Sequence, residues 1–218
     1  VRRVSHAESL GNGAAIKAGA RAANGEVLCF MDADSQHDPA DIGRLLATMS
    51  QGYDMVVGAR DTRGQASVGR RLANGFYNRF ASWMTGRRVQ DLTSGFRLAR
   101  ASCFRAFLFL LPNGFSYPTT CTMAFFRAGY RVAYVPIDVH PRIGRSHINP
   151  LKDGLRFLLI IFKIGTLFSP LKIFLPISLA FFFTGAGYYV YTLLLEHRFT
   201  NMSALLLSNA ILIFLIGL

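Results

Sequence analysis

The chain has 218 residues and a mean hydropathy of +0.30, enough for one domain of ordinary size and an additional segment. Its three cysteines (Cys29, Cys103 and Cys121) are widely spaced and odd in number, which excludes a disulfide framework and a zinc pattern and suits a reducing compartment. The net charge of +12, from 24 basic and 12 acidic residues, restricts the candidate partners to nucleic acid, anionic lipid headgroups or a phosphorylated substrate.

The first sixty residues alternate helix and strand signals. Good helix formers occupy residues 14–23, and a short apolar run at residues 27–31 predicts a buried strand. A second helix is predicted at residues 38–51, since Asp38 supplies an N-cap and a proline follows it, and a second strand at residues 53–60. Connections this short predict a parallel sheet with right-handed crossovers, in which ligands bind at the carboxyl ends of the strands.

The next part of the chain is rich in arginine. Residues 58–105 contain ten arginines and two acidic residues, and 20 of the 24 basic residues of the whole chain are arginine. Arginine is favoured where phosphate is bound by planar, bidentate contacts, although any one of these side chains could also be a solvated surface residue. We predict a helix at residues 68–84, whose aromatic side chains have a spacing typical of core or membrane-facing positions, then an irregular segment. A strand at residues 131–137 and a basic loop follow.

The last fifty residues are strongly apolar. Residues 173–195 and 199–218 carry no charged side chain, and their lengths predict two membrane spans rather than a pair of buried core helices. Residues 149–169 predict an amphipathic helix in the membrane interface. Basic residues just before the first span predict, by the positive-inside rule, that residues 1–148 lie on the cytoplasmic side.

The two ends of the sequence suggest an incomplete chain. The sequence does not begin with methionine, and it stops within an apolar run. We therefore expect a domain at residues 1–148 that is incomplete at its N-terminus, and two membrane helices at residues 170–218, the second of them truncated.

A pair of carboxylates follows the first predicted strand. Asp32 and Asp34 flank one small residue, and Gln36 could add a third oxygen ligand. Carboxylate and water oxygens suit Mg²⁺ or Mn²⁺, which bind substrate phosphates at the same time. In the alternative interpretation, Asp38 caps the next helix and the other two are solvated loop residues. We interpret His37 as a structural turn residue.

Six motifs occur in an order that resembles a known family. They are "MDADSQHDP", "GAR", "RR-x2-N-x2-YN", "DLTSGFR", "VPI" and "R-x-G-x-SH", and together they cover most of residues 10–150. The chain is similar here to dolichyl-phosphate mannose synthase and its bacterial relatives, the polyprenyl-phosphate glycosyltransferases of glycosyltransferase family 2. The resemblance implies an α/β, Rossmann-like GT-A catalytic domain with a mostly parallel sheet, whose N-terminal strand region has no counterpart before residue 1. It also implies metal-dependent, inverting transfer of a sugar from a nucleotide sugar to a dolichyl or undecaprenyl phosphate.

The resemblance also implies roles for individual residues. The implied metal ligands are Asp32, Asp34 and Gln36. The implied donor-binding residues are Asp32, Ala33, Asp34, Arg60, Arg142 and His147, although some members have lysine where His147 stands, which puts its role in doubt. The implied acceptor-phosphate residues are Ser67, Arg70 and Arg71. The implied catalytic residues are Asp34, Asp91 and Arg60, and the pattern around Asp91 also allows an N-cap or the partner of an arginine.

Two other functions compete with this expectation. A processive polysaccharide synthase of the same fold would carry a Q-x-x-R-W motif, but Trp83 is the only tryptophan and lies outside such a motif. A non-catalytic basic membrane module would have no purpose for the paired carboxylates. The expected partners are thus a nucleotide sugar, a polyprenyl phosphate and membrane lipids, without nucleic acid, at a bacterial or archaeal plasma membrane rather than the endoplasmic reticulum. The donor base, the sugar and the presence of a homo-oligomer stay open.

Overall fold

The computed structural model describes residues 3–60, 68–114, 116–139 and 150–218. For residues 68–71, 150–153, 156 and 196 it describes the backbone alone. The chain divides between residues 164 and 165 into two compact units. We describe each unit separately.

The described residues form eight helices and four strands. The elements of the first unit are α1 (Asn12–Ala22), β1 (Val27–Phe30), α2 (Asp41–Met49), β2 (Met55–Arg60), α3 (Val68–Thr85), β3 (Arg97–Arg100), α4 (Ala101–Ala106), α5 (Tyr117–Arg127), β4 (Val132–Ile137) and most of α6 (Pro150–Phe168). The second unit contains the end of α6, α7 (Pro170–Glu196) and α8 (Asn201–Gly217).

The sheet has the strand order β1-β3-β2-β4. β3 is antiparallel to both β1 and β2, whereas β2 and β4 are parallel. Three of the four strands therefore point in the same direction, but two of the three pairings are antiparallel. The prediction of an irregular segment after the 68–84 helix is wrong at β3. This strand is only four residues long and has an arginine at each end, so it lacks an apolar alternation signal and depends on its two neighbours for pairing.

The second helix begins later than predicted. Oδ1 of Asp38 accepts a hydrogen bond from the backbone N–H of Ala40 at 2.8 Å, and Ile42 donates to the carbonyl of Pro39 at 3.1 Å. Asp38 thus caps a turn that leads into α2, and the helix itself starts at Asp41.

Apolar side chains cover both faces of the sheet. The side chains packed on one face, with α1, α4 and α5, include Leu28, Phe30, Met55, Val57, Ala99, Phe104, Cys121 and Phe125. Those packed on the other face, with α2, include Leu45, Met49, Val56, Phe96, Leu98, Val135 and Ile137. Successive residues of β2 and β3 alternate between these two groups, as the two-residue period of a strand requires. The sheet is therefore the central layer of an α/β/α arrangement.

The second unit is dominated by two apolar helices, α7 and α8. Oγ of Ser178 donates to the carbonyl of Ala210 at 2.7 Å, and Thr200 caps α8 by accepting from the backbone N–H of Ser203 at 3.3 Å. A Cβ atom at Gly185 would lie 2.9 Å from Cβ of Leu206, so glycine permits the close approach of the two helices there.

One stretch of this unit, Pro170–Leu195, is long and apolar enough to cross a membrane, judged by its length and composition. The second predicted span corresponds to α8, an apolar helix of 17 residues. At 1.5 Å per residue, α8 is about 25 Å long, which is shorter than the roughly 30 Å hydrocarbon core of a bilayer.

Candidate active site

The candidate active site lies at the edge of the sheet where β1, β2 and β4 end and β3 begins. Arg97, the first residue of β3, pairs with Phe30 on β1 and with Val57 on β2. β4 is parallel to β2, and their last residues, Arg60 and Ile137, pair with each other. The segments that follow β1 and β2 and the segment that precedes β3 therefore converge, as at the ligand-binding edge of open α/β sheets.

The carboxylate of Asp32 lies against the backbone of Gly95. A Cβ atom at position 95 would be 2.5 Å from Oδ2 of Asp32 and 3.1 Å from its Cγ, closer than non-bonded atoms approach. Gly95 belongs to the loop before β3, and Asp32 to the segment after β1. The absence of a side chain at Gly95 therefore allows the two segments to meet.

A tight turn holds the second carboxylate. Oδ1 of Asp34 accepts a hydrogen bond from the backbone N–H of Gln36 at 3.3 Å, and Ser35 between them has a left-handed φ of 61°. Asp34 is half-buried, whereas Asp32 is exposed. The D-x-D pair thus lies in a structured turn and not in an open loop.

Arg60 and Asp91 form a two-pronged ion pair. Nε of Arg60 donates to Oδ2 of Asp91 at 2.8 Å, and Nη2 of Arg60 donates to Oδ1 at 2.9 Å. Oδ1 also accepts from the backbone N–H groups of Thr93 and Ser94, both at 3.1 Å, and Oδ2 accepts from the backbone N–H of Arg60. Asp91 is therefore the partner of an arginine, and its two oxygens are occupied by donors of the protein. It has no free lone pair with which to act as a strong general base.

The environment of this pair holds both groups in their charged forms. Burial alone would raise the pKa of Asp91, but the hydrogen bonds and charge of Arg60 outweigh it and the pKa is lowered. Burial would lower the pKa of Arg60, but the hydrogen bonds and charge of Asp91 outweigh it and the pKa is raised. Asp91 is thus an anion and Arg60 a cation throughout the physiological range.

His37 lies among the charged groups of this edge. The pKa of His37 is lowered, mainly by burial and further by the charge of Arg60. The carboxylates of Asp32, Asp34 and Asp91 act in the opposite direction but do not outweigh the burial. These four side chains are therefore close enough to His37 to interact with it. The ring centroid of His37 lies 5.1 Å from that of Phe96, which agrees with a structural role for a neutral imidazole.

Two parts of the chain match known protein families. Residues 1–128, more than half of the chain, match the family described as glycosyl transferase family 2, and residues 169–218 match the GtrB C-terminal hairpin. The chain belongs to glycosyltransferase family 2.

Individual relatives of this family 2 glycosyltransferase are similar to it over part of their length. A dolichyl-phosphate hexose transferase from Haloferax volcanii is 30% identical over 154 residues, which cover 70% of this chain and 67% of the relative. An undecaprenyl-phosphate 4-deoxy-4-formamido-L-arabinose transferase from Photorhabdus laumondii is 38% identical over 98 residues, which cover 45% of this chain and 30% of the relative. The chain thus spans between about a third and two thirds of the length of these two relatives.

A solved structure shares the fold. Glucosyl-3-phosphoglycerate synthase from Mycobacterium tuberculosis, crystallised with Mn²⁺, uridine diphosphate and phosphoglyceric acid, has a TM-score of 0.55 and 18% identity. The similarity covers 71% of this chain and 54% of that one. A GT-A-like glycosyltransferase fold is therefore shared with a protein that was solved with a divalent cation and a nucleotide.

Most of the predicted site residues meet at one edge of this family 2 domain. The residues found there are Asp32, Ala33, Asp34, Gln36, Arg60 and Asp91. The backbones of Arg70 and Arg71 lie in the first turn of α3, and their side chains are outside the described part. Ser67, Arg142 and His147 also lie outside the described residues, so their roles stay predictions.

The donor set of this edge fits a divalent cation that is shared with a substrate. Within the described ranges, no three His, Cys, Asp or Glu side chains are arranged to hold a metal ion by themselves. Magnesium and manganese commonly take one or two carboxylates and complete their coordination with water and substrate phosphates. Asp32, in the space left by Gly95, and Asp34, in its turn, supply two carboxylates with the appropriate chemistry.

Sequence reasoning missed three residues that shape this site. Gly95 makes room for Asp32, and Thr93 accepts a hydrogen bond from Nη2 of Arg60. Asn78, on α3, bonds the backbone on both sides of Asp91. All three lie in motifs that carry the family resemblance, "DLTSGFR" and "RR-x2-N-x2-YN". The motifs were therefore the available signal, although they gave no role to these residues.

We expect Gly95→Ala to impair glycosyl transfer with little effect on folding. The added methyl group would force the Asp32 carboxylate to move, and a displacement of about 1 Å in an active site can reduce activity by about 100-fold. The measurement is the steady-state transfer rate together with the melting temperature.

The matched control for this substitution is Gly43→Ala in α2, where a Cβ atom would meet nothing within 4 Å. We expect normal activity and a gain of about 0.5–1 kcal/mol in stability, because alanine is the better helix former. Full activity in the Gly95 variant would contradict the importance of the contact with Asp32.

Proposed function

We propose that the protein transfers a sugar, with inversion, from a nucleotide sugar to a polyprenyl phosphate at a membrane surface. The observation that carries this proposal is the convergence of two carboxylates, Asp32 and Asp34, with the Arg60–Asp91 pair at one edge of a family 2 domain. Carboxylates with a divalent cation suit a diphosphate, and a positioned guanidinium suits a second phosphate. The site therefore has suitable groups for two anionic substrates.

The relatives support the choice of acceptor. The two transferases described above are named for different sugars, a hexose and a formamido-arabinose, but both names specify a polyprenyl phosphate. The match of residues 169–218 to the GtrB hairpin adds a second region of similarity outside the catalytic domain. A lipid acceptor is thus the common feature, while the sugar is left open.

On the donor side, we assign the diphosphate to the segment after β1. Asp32, Asp34 and Gln36 would hold a Mg²⁺ or Mn²⁺ ion there. When bound, such an ion supplies charge neutralisation for the leaving nucleoside diphosphate. Ala33, which is exposed between Asp32 and Asp34 in the sequence, is assigned to the same donor segment.

On the acceptor side, we assign the lipid phosphate to arginines. Arg60, held by Asp91, contacts a phosphate of donor or acceptor, and Ser67, Arg70 and Arg71 complete the acceptor site. An oxygen of the lipid phosphate attacks C1 of the sugar, and the bond from C1 to the diphosphate oxygen breaks with its electron pair. The lipid phosphate is already ionised near neutral pH, so the step needs no strong base. This agrees with an Asp91 whose oxygens are fully occupied.

A membrane location is supported by an exposed aromatic face on α3. Phe76 and Trp83 are 58% and 48% exposed, and the ring of Phe80 stacks between them, with centroid distances of 6.3 and 5.9 Å. Aromatic and basic residues together are typical of helices that lie in the headgroup region, and Arg79, near Phe80, is exposed.

The helix α6 extends this exposed apolar surface. The hydroxyl of Tyr77 on α3 donates to the carbonyl of Gly154 on α6 at 3.0 Å, and Leu155, Leu159 and Phe162 of α6 are exposed. We assign both helices to the interface of a bilayer, with α7 crossing it and the catalytic unit on the cytoplasmic side. In this assignment the protein binds membrane lipids directly, and the same bilayer contains the polyprenyl phosphate acceptor.

The test is a transfer assay with the full-length protein in membranes. A panel of nucleotide sugars is supplied with undecaprenyl or dolichyl phosphate, with Mn²⁺ or with a chelator. We expect one donor to yield a polyprenyl-phosphate sugar of inverted anomeric configuration, and the chelator to remove most of the activity. The anomeric configuration can be read by nuclear magnetic resonance.

The transfer assay, together with a vesicle-binding measurement, separates the competing functions. Formation of a polysaccharide without a lipid-phosphate product would indicate a processive synthase. Binding to anionic vesicles that is weakened by salt, with no turnover of any donor, would indicate a non-catalytic membrane module. Either result would overturn the proposed function.

A further inference from the structure

One side chain of the helix α3, that of Asn78, forms hydrogen bonds on both sides of Asp91. Nδ2 of Asn78 donates to the carbonyl of Gln90 at 2.7 Å, and its Oδ1 accepts from the backbone N–H of Leu92 at 3.0 Å. These two backbone groups lie directly before and directly after Asp91. A single amide thus brackets the residue that holds Arg60.

The chemistry of the amide suits this position. Asparagine has one acceptor and one donor group at the same short distance from the backbone, so it can satisfy a carbonyl and an N–H of the same extended segment. The loop from Gln90 to Gly95 is not part of a helix or strand, and its backbone groups need partners elsewhere. Asn78 supplies two of them.

The bracketed residue in turn fixes the guanidinium of Arg60. Asp91 contacts Arg60 through three hydrogen bonds, from Nε, Nη2 and the backbone N–H. A planar fork of this kind tolerates little rotation or translation of the carboxylate. A shift of the Asp91 backbone would therefore move the guanidinium with it.

We infer that Asn78 is a positioning residue for the transfer reaction, acting through Asp91 on Arg60. The inference deepens the proposed function, since it assumes that Arg60 contacts a substrate phosphate. Asn78 does not itself contact the reacting atoms in this assignment. Its role is to set the position of the Asp91–Arg60 pair from α3.

A matched control lies one turn further along the same helix. Oγ of Ser82 accepts from the backbone N–H of Val89 at 2.9 Å, so it bonds α3 to the residue that directly precedes this loop. It does so two residues before Asp91 and does not bracket it. The hydroxyl of Ser82 also donates to the backbone carbonyl of Asn78 at 2.6 Å, within the helix. Ser82→Ala should therefore remove two hydrogen bonds, as Asn78→Ala does, but leave the side chain of Asn78 and its bonds around Asp91 in place.

The experiment compares Asn78→Ala and Ser82→Ala in the full-length protein. Two quantities are measured besides the melting temperature: kcat/KM for transfer to polyprenyl phosphate, and the ¹H–¹⁵N signal of the Arg60 Nε–H group in protein labelled at arginine. The signal is assigned by its loss in Arg60→Lys. It reports the bond to Asp91 without any turnover.

For Asn78→Ala we expect a fall in kcat/KM of about 10- to 100-fold, and a shifted or broadened Arg60 signal. For Ser82→Ala we expect a change of less than about threefold, and an Arg60 signal like that of the wild type, at a similar loss of melting temperature. If Asn78→Ala does not fold, Asn78→Asp is used instead. It keeps the acceptor for Leu92 but sets a carboxylate against the carbonyl of Gln90, and it should move the signal in the same way.

An unchanged Arg60 signal in the Asn78 variants would overturn the inference, as would equal losses of activity in the Asn78 and Ser82 variants. If the Arg60 signal moves in Asn78→Ala but the wild type transfers no sugar to polyprenyl phosphate, the positioning of Arg60 is supported and the proposed function is refuted. The two failures are therefore distinguishable.

Discussion

Asp34→Ala is expected to reduce the rate of sugar transfer by about 100- to 1,000-fold while leaving the fold intact. Asp34 is one of two carboxylates assigned to the diphosphate and its cation, and loss of a group that stabilises developing charge has effects of this size. Oδ1 of Asp34 accepts a local hydrogen bond from the backbone N–H of Gln36, and the loss of one such bond has a small effect on stability. Its removal should therefore cost about 1 kcal/mol of stability.

The measurement is transfer at saturating Mn²⁺, with circular dichroism and melting temperature as checks of folding. Asp38→Ala is a suitable control, because Asp38 is an exposed carboxylate four residues away that accepts a similar local bond from Ala40. We expect this control to retain most of its activity. Wild-type turnover in the Asp34 variant would remove the basis for assigning the diphosphate to this segment.

Asp91→Asn is expected to lower the free energy of unfolding by about 3 kcal/mol and to remove most transfer activity. Its carboxylate is only 9% exposed, and the substitution leaves the Arg60 guanidinium, 31% exposed, beside a neutral amide. Breaking a buried ion pair from one side has this order of cost, because the remaining charge stays buried without its partner. Unfolding by denaturant can be followed by the fluorescence of Trp83, the single tryptophan of the chain.

The control for this substitution is an acid-to-amide change at a more exposed pair. Asp54 lies 3.5 Å from Arg100, and their side chains are 22% and 47% exposed. Solvent screens such a pair, so Asp54→Asn should cost less than about 1 kcal/mol. Equal losses in the two variants would show that burial of the Asp91–Arg60 pair has no special role.

The stability that Asp91 contributes should depend on pH in a defined direction. Its pKa in the folded protein is lowered, so the contribution is fully present above the unfolded value of about 3.9 and is lost as the pH falls through the folded value. The difference in unfolding free energy between wild type and Asp91→Asn should therefore be constant from pH 7 to about pH 5 and should shrink below about pH 4. A difference that grows on acidification would contradict the lowered pKa.

Local sequence patterns predicted the positions of several helices and strands in this protein. The apolar run at residues 27–31 followed by Asp32 and Asp34 predicted a strand with carboxylates at its end, and the structure has β1 at Val27–Phe30. The helix predicted at residues 68–84 is observed at Val68–Thr85, and the uncharged stretch from residue 173 lies within α7. These features depend on residues that are neighbours in the sequence, so periodicity and composition suffice to find them.

Such local patterns do not predict contacts between residues that are far apart in the sequence. Asp91 pairs with Arg60 across 31 positions, and Gly95 makes room for Asp32 across more than sixty. From the sequence alone, Asp91 is equally compatible with an N-cap, a reaction-centre residue or a partner of any of the ten arginines in residues 58–105. The pairing of β3 between β1 and β2 decides among these.

The sequence alone thus determined the chemical class of the site, because charge, motif spacing and apolar length are properties of the chain itself. The tertiary structure decided which of these groups meet. β3 is the clearest case, since a four-residue strand with an arginine at each end has little tendency to form alone. Its place in the sheet depends on pairing and burial against β1 and β2, and that place brings the loop with Asp91 and Gly95 to the segment that carries Asp32.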